Sequence, residues 1–242
     1  MINLYNKLTE LQEKGIVVIE DYILGSELKV LNIEFNEFLA KNHVGAPLTP
    51  YSKGKCARVK RDEFDKKIFP ATTKFFYNEN FKSIAEKYLK DKVSLNEEIF
   101  VVKDVVGSKH FANDLHYDVV NTLKFFLYLS DTKTSNGAFS CVPGSHILTR
   151  KYRDEHGIKL NYDNRSLTRE LDLKNFRNPI TIEGQAGTLI LFDTDTWHKA
   201  GKVSKGERRV MRGHTRLKKK SITKVNKSII NKLFNGLIRR IK

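Results

Sequence analysis

Leu115-His116-Tyr117-Asp118 is the stretch whose reading decides the fold. In an extended strand, residues i and i+2 point to the same face. His116 and Asp118 therefore aim an imidazole and a carboxylate at one point, with Tyr117 turned away. A second imidazole from a distant strand would complete two histidines and one carboxylate, and His198 in Asp195-Thr196-Trp197-His198 is the candidate. Such a set occupies one face of an octahedral iron(II) and leaves the opposite face open. A lone His-x-Asp is frequent by chance, so the surrounding sequence decides its meaning.

Downstream run Leu123-Lys124-Phe125-Phe126-Leu127-Tyr128-Leu129-Ser130-Asp131, Asn136-Gly137-Ala138-Phe139 and Val142-Pro143-Gly144-Ser145-His146. Then come Gly187-Thr188-Leu189-Ile190-Leu191-Phe192-Asp193, His198 and Arg208-Arg209-Val210-Met211. In this order the motifs resemble the phytanoyl-CoA dioxygenase-like family of iron(II)/2-oxoglutarate oxygenases. The resemblance covers residues 98–215 and, more loosely, Leu11 to Ile19, which looks like the family's opening helix and strand. Leu115 departs from it, because many members carry Trp before the first histidine.

The resemblance implies a mainly β fold with flanking helices, a double-stranded β-helix or cupin-like jelly roll. It implies Fe(II), 2-oxoglutarate as cosubstrate and O2, with His116, Asp118 and His198 as the catalytic metal ligands. A carboxylate at position 118 argues for hydroxylation over the related halogenation, which needs that place vacant for halide. The family also sets an arginine for the far carboxylate of 2-oxoglutarate on the strand after the distal histidine. A guanidinium meets a carboxylate through two parallel hydrogen bonds. Arg208 and Arg209 both fall in range, and strand alternation lets only one face inward. Alignment on Arg-Val-Met selects Arg209 and puts Arg212 on the opposite, solvated face. Lys124 is either a second cation for the cosubstrate or an edge lysine with a packed stem and a wet head. His146 fits a structural turn, and His110 is a loop histidine or a substrate neighbour.

Composition narrows the setting. A chain of 242 residues with 40% hydrophobic content suits one large domain, or one with an appendage. No apolar run approaches the roughly 18 residues of a spanning helix, and Met1 to Glu10 lacks the apolar stretch of a signal peptide. Cys56 and Cys141 show neither disulfide nor zinc spacing. These features point to a reducing, cytoplasmic location. Residues 199–242 hold 16 Lys and Arg against a single acid, Glu207, so nearly all of the +16 net charge is a C-terminal property.

Leu4, Leu8 and Leu11 recur at helical spacing over residues 2–14, Gly15 ends the helix, and Ile16 to Ile19 reads as a strand. Ser26 is the expected N-cap of a helix ending near Asn42. Residues 44–70 read as irregular. Their cluster of Lys53, Lys55, Arg58, Lys60 and Arg61 before Asp62, Glu63 and Asp65 suits a solvated loop or an entrance loop for an anionic substrate. A helix is expected from Asn80 to Lys90. Strands are expected at 99–106, 124–129, 139–142, 180–183, 188–192 and 209–215, with a hairpin turn at Asn136-Gly137. The long polar insertion 145–178, helical near Leu167 to Leu173, has the length of a lid or binding segment. The expected organisation is one dioxygenase domain over 1–215, mostly helical over 1–97 and a jelly-roll core over 98–215.

Residues 216–242 form a tail in which Ile222, Val225, Ile229, Leu233, Leu237 and Ile241 follow helical spacing among lysines and arginines. A basic amphipathic helix suits an anionic membrane surface, here the inner face, or docking of its apolar face on the domain itself, a second subunit or another partner protein. Nucleic acid is the weaker partner, because Arg209, Arg212 and Arg216 do not reproduce the multi-arginine arrangement of nucleic-acid demethylases. The function expected from the resemblance is hydroxylation of a small-molecule or lipid-like substrate with release of succinate and CO2. The alternative is a catalytically silent binding module acting through its tail. Four intact site residues favour the enzyme.

Overall fold

The computed structural model describes residues 4–40, 53–61, 66–109, 111–118, 120–156 and 178–218. His43, His110, the acids at 62–65, the segment 157–177 and the tail from 219 onward lie outside them.

The chain opens with a 3-10 turn, Leu4–Lys7, and helix α1, Leu8–Lys14, which bury Leu4 and Leu11. Gly15 closes α1 at φ 69°, a left-handed conformation that favours glycine. A Cβ there would also collide with Thr196 and His146. Strand β1, Ile16–Ile19, and helix α2, Gly25–Ala40, follow. Ser26 lies inside the first turn of α2, since the helix begins at Gly25. Then come β2, Lys55–Lys60; α3, Pro70–Phe76; α4, Glu79–Leu89; β3, Val93–Leu95; and β4, Glu98–Val105. After the His116 segment run β5, Leu123–Tyr128; β6, Phe139–Cys141; and α5, Ser145–His156. The described part ends with β7, Ile180–Ile182; β8, Leu189–Asp193; β9, His198–Lys199; and β10, Glu207–Leu217.

Two antiparallel sheets form the jelly roll. The larger runs β1-β8-β5-β10-β4-β2, with β3 on the far end of β10. The smaller runs β7-β6-β9, and the bridge between His116 and His198 adds the His116 segment to it. Strand alternation sorts the core. Leu123, Phe125, Leu127, Leu191 and Met211 pack outward against Leu31, Phe35, Phe38, Phe81 and Ile84 of the helices. Phe126, Tyr128, Ile190, Phe192 and Val210 face inward against Phe139, Cys141 and Ile182 of the small sheet. The Phe81 and Phe125 rings stack at 4.2 Å between centroids and tie α4 to the middle of the large sheet.

The structure corrects two further sequence expectations here. Residues 55–60 are a strand, the edge strand β2, in which Ala57 and Val59 face the core while Arg58 and Lys60 take the opposite face. Within that strand Arg58 pairs with Glu98 of β4 across the sheet. Asn136-Gly137 does not join a hairpin, because β5 and β6 belong to different sheets; the turn carries the chain from one sheet to the other. The N-terminal part also supplies both edge strands of the large sheet, β1 and β2, so it is woven into the jelly roll.

Candidate metal centre

The paired backbones of two distant segments build the centre. His116 N–H donates to the His198 carbonyl at 3.0 Å, and His198 N–H donates back at 2.8 Å. Asp118 N–H donates to Thr194 O at 3.0 Å. This ladder sets the two histidines directly opposite each other, with ring centroids 4.5 Å apart. The Asp118 carboxylate reaches both through one oxygen. Its Oδ1 lies 3.8 Å from His116 Nε2 and 3.7 Å from His198 Nε2. One ligand atom from each residue falls within 4.8 Å of the other two.

The protonation pattern suits a metal. His116 Nδ1 lies 2.7 Å from the Asp114 carbonyl, and His198 Nδ1 lies 2.7 Å from the Thr196 carbonyl. A carbonyl only accepts, so each Nδ1 carries the proton and each Nε2 lone pair is left for a metal. His198 is buried between Phe139 and Phe192, and that burial pushes its pKa down to about 3 and keeps the imidazole neutral. Burial by itself raises the Asp118 carboxyl. The Lys124 ammonium and the neighbouring imidazoles outweigh it and hold the group well below the usual carboxylate range. Neutral imidazoles and an ionised carboxylate are the donor forms a divalent ion requires.

A buried polar network supports both ligand segments. Arg153 of α5 donates to Asp195 Oδ1 at 2.8 Å and to the carbonyl of Asp118, and it lies over the Tyr117 ring. It thus links the segments that carry His116 and His198. Asn121 bridges Asp193 and Asp195 at 2.7 Å each, and Tyr88 and Arg150 meet the other oxygen of Asp193. Burial first, then the adjacent Asp193, raises Asp195 to about 7. Sequence reasoning passed over this network. Its trace was Asp193-Thr194-Asp195, two acids at and just beyond the end of the apolar strand β8.

Arg209 does not join the ligand face. Its Nε pairs with Glu207 at 2.6 Å, and its guanidinium lies over the Phe35 ring of α2, on the helical side of the large sheet. The residues of β10 that alternate inward are Arg208, Val210, Arg212 and His214. Arg208 is buried and bound to Asp104 at 2.6 and 3.0 Å and to the Gly137 carbonyl. Arg212 faces the same interior with its guanidinium 4.3 Å from the Phe100 ring centroid, and burial lowers its pKa. The expectation that Arg212 is solvated is therefore reversed, and Arg212 forms no ion pair among the described residues. Lys124 also points inward, to the second oxygen of Asp118 at 2.5 Å, so its head is not in water. His146 is buried with Nε2 on the Gln12 carbonyl, a structural contact.

The family model described as phytanoyl-CoA dioxygenase (PhyH) matches residues 11–210. No curated protein matches the chain in sequence. Among solved structures, the non-heme alpha-ketoglutarate-dependent epimerase SnoN from nogalamycin biosynthesis is similar, with TM-score 0.64 and 15% identity over 88% of this chain and 82% of that one. HygX from Streptomyces hygroscopicus, solved with nickel, 2-oxoglutarate and hygromycin B bound, has TM-score 0.55 and 13% identity over 87% of this chain and 86% of that one. EctD from S. alaskensis with bound Fe has TM-score 0.58 and 16% identity over 88% of this chain and 78% of that one. At these identities the structural likeness establishes the jelly-roll fold.

Proposed function

The chain belongs to the phytanoyl-CoA dioxygenase family and is a 2-oxoglutarate-dependent oxygenase, and from that premise we propose that His116, Asp118 and His198 bind iron(II) for the hydroxylation of a small-molecule or lipid-like substrate. The products are the hydroxylated substrate, succinate and CO2. The observation that carries this reading is the meeting of the three ligand atoms within 4.8 Å, with both Nδ1 atoms committed to backbone carbonyls. Bound iron with its cosubstrate supplies the oxidising chemistry, and the protein supplies binding, orientation and a water-poor site. HygX, with hygromycin B bound, supports the small-molecule class.

The far carboxylate of 2-oxoglutarate is met by Arg212. On the interior face, Lys124 touches Asp118, and its register partner on β10 is His214. Arg212 lies one inward position along β10, about 7 Å away by strand rise, which suits the span of a five-carbon diacid. Arg208 is already neutralised by Asp104, and Arg209 faces the helices. Phe126 and Phe192 line the same face and restrict water.

Anaerobic titration with Fe(II) and 2-oxoglutarate, followed by the weak visible charge-transfer band of the chelate, tests both parts. The wild type should develop the band and His116→Ala should not. Arg212→Leu should need about tenfold more 2-oxoglutarate or beyond, a loss consistent with one charge-assisted pair, whereas Arg209→Leu should titrate as wild type. A wild type without the band removes the metal-centre reading. A defect in Arg209→Leu with none in Arg212→Leu removes the anchor assignment.

A further inference from the structure

We propose that Lys124 is a positioning residue that holds Asp118 in single-oxygen coordination and keeps its second oxygen off the metal. The inference rests on the metal-centre reading above. The two carboxylate oxygens of Asp118 have different partners. Oδ1 is the atom shared by the two Nε2 positions, at 3.7 and 3.8 Å, and Oδ2 lies 2.5 Å from Lys124 Nζ.

Lys124 cannot easily swing away. It sits on β5, paired with Phe192 of β8 on one side and His214 of β10 on the other. Its side chain is 12% exposed, and Nζ lies 5.8 Å from the Phe192 ring centroid. A lysine on an edge strand could turn to water; one in the middle of a sheet, facing inward, has its stem fixed by both neighbours.

Two consequences follow, and they oppose each other. A fixed ammonium close to a divalent ion in a partly dehydrated site repels it, so Lys124 weakens metal binding. By engaging Oδ2 it prevents Asp118 from chelating through both oxygens. A facial two-histidine, one-carboxylate set keeps an open face only while the carboxylate takes a single position. A chelating Asp118 would take a place that the keto acid or dioxygen needs. Lys124 therefore lowers metal affinity and raises the capacity of the bound metal for cosubstrate. A residue with a merely structural role would lower both when removed.

The test uses the full-length, metal-free protein with Co(II) and Fe(II) as anaerobic probes. Lys124→Met keeps the length and removes the charge; Lys124→Arg keeps the charge. Metal affinity is read by competition with a chelating dye, coordination by the Co(II) ligand-field spectrum, and cosubstrate binding by the Fe(II) chelate band. Lys124→Met should bind Co(II) about tenfold tighter or more, show a changed ligand-field spectrum, and need about tenfold more 2-oxoglutarate. Lys124→Arg should stay close to wild type in all three. Metal binding in Lys124→Met that is equal to or weaker than wild type overturns the inference, as does an unchanged requirement for 2-oxoglutarate. If Lys124→Met does not fold, Lys124→Gln is read by the same criteria. A wild type that binds neither ion overturns the metal-centre reading and this inference together. A wild type that binds, a His116→Ala that does not, and a Lys124→Met without tightening overturn this inference alone.

Discussion

Asp104 and Arg208 form a buried pair, with side chains 1% and 4% exposed, on the inner face of the large sheet. Removing one partner strands the other charge away from water, at a cost of about 3 kcal/mol or more, whereas replacing both with apolar groups costs much less. Asp104→Leu should therefore lose about 3 kcal/mol in urea unfolding, and Asp104→Leu with Arg208→Met should recover most of it. Additive losses would show that the pair is not coupled. Arg209 contrasts with Arg208. Its ion pair with Glu207 is partly exposed, so Arg209→Leu should change stability by less than about 1 kcal/mol by the same measurement. The arginine doublet was readable as a feature of the strand after His198, but its facing was not. Alternation assigns a face only relative to a side chain whose side is known, and Arg-Val-Met supplied the wrong reference. Val210, packed on Tyr128 and Phe126 in the interior cluster, is the one that places Arg208 and Arg212 inside.

Helix α3 depends on a side chain from elsewhere. The carboxylate of Glu34 on α2 accepts from Ala71 N at 2.9 Å, Thr72 N at 2.8 Å and Thr72 Oγ1 at 2.5 Å, so it caps the first turn of α3. Glu34→Ala leaves those donors buried without an acceptor and should cost about 2 kcal/mol by thermal or urea unfolding. A loss no larger than that of an exposed glutamate such as Glu13→Ala would remove the capping role. Pro70 at the start of α3 is a helix-start signal that the sequence did carry. The matching acid lies far away in the chain, so the cap was not readable. Helix α5 connects to the metal centre through Arg153. Arg153→Met should weaken Co(II) binding several-fold, because the Asp118 carbonyl loses its donor and Asp195 loses its charge partner. Unchanged affinity would show that the two ligand segments hold their geometry without α5. The edge strand β2 escaped notice because it has only two core-facing apolar residues, Ala57 and Val59, between charged ones. Lysines are common at sheet edges, where they discourage pairing with other chains.

The whole molecule has a pH dependence that follows from two imidazoles, buried His198 and partly buried His214. Burial lowers His198 to about 3 and His214, also repelled by Lys124 and Arg212, to about 4. Below the ordinary histidine range the unfolded chain takes up protons at these positions while the native metal-free protein does not. Stability is therefore fully present above pH of about 6.5 and falls as pH drops toward the native values, by at most about 1.4 kcal/mol per pH unit for each group. Urea unfolding of metal-free protein between pH 7.5 and 5 should show this fall, and His214→Gln should make it shallower. A flat profile would mean that both imidazoles charge freely in the native state. Among the described residues no helix is long and apolar enough to cross a membrane.

Through the motifs that resemble the phytanoyl-CoA dioxygenase-like family, the amino-acid sequence pointed to the jelly roll and to His116, Asp118 and His198 as one cluster, and the structure brings the three together. The motifs that carry the resemblance are short contiguous stretches, and contiguous stretches survive in one dimension. The tertiary structure decided what depends on facing and on distant partners. It put Arg209 on the helical side and Arg212 inside, gave each oxygen of Asp118 a different neighbour, and bound Arg153 to both ligand segments. Sheet register and side-chain partnership arise only when distant stretches pair, and a one-residue change of register turns every side chain to the other face.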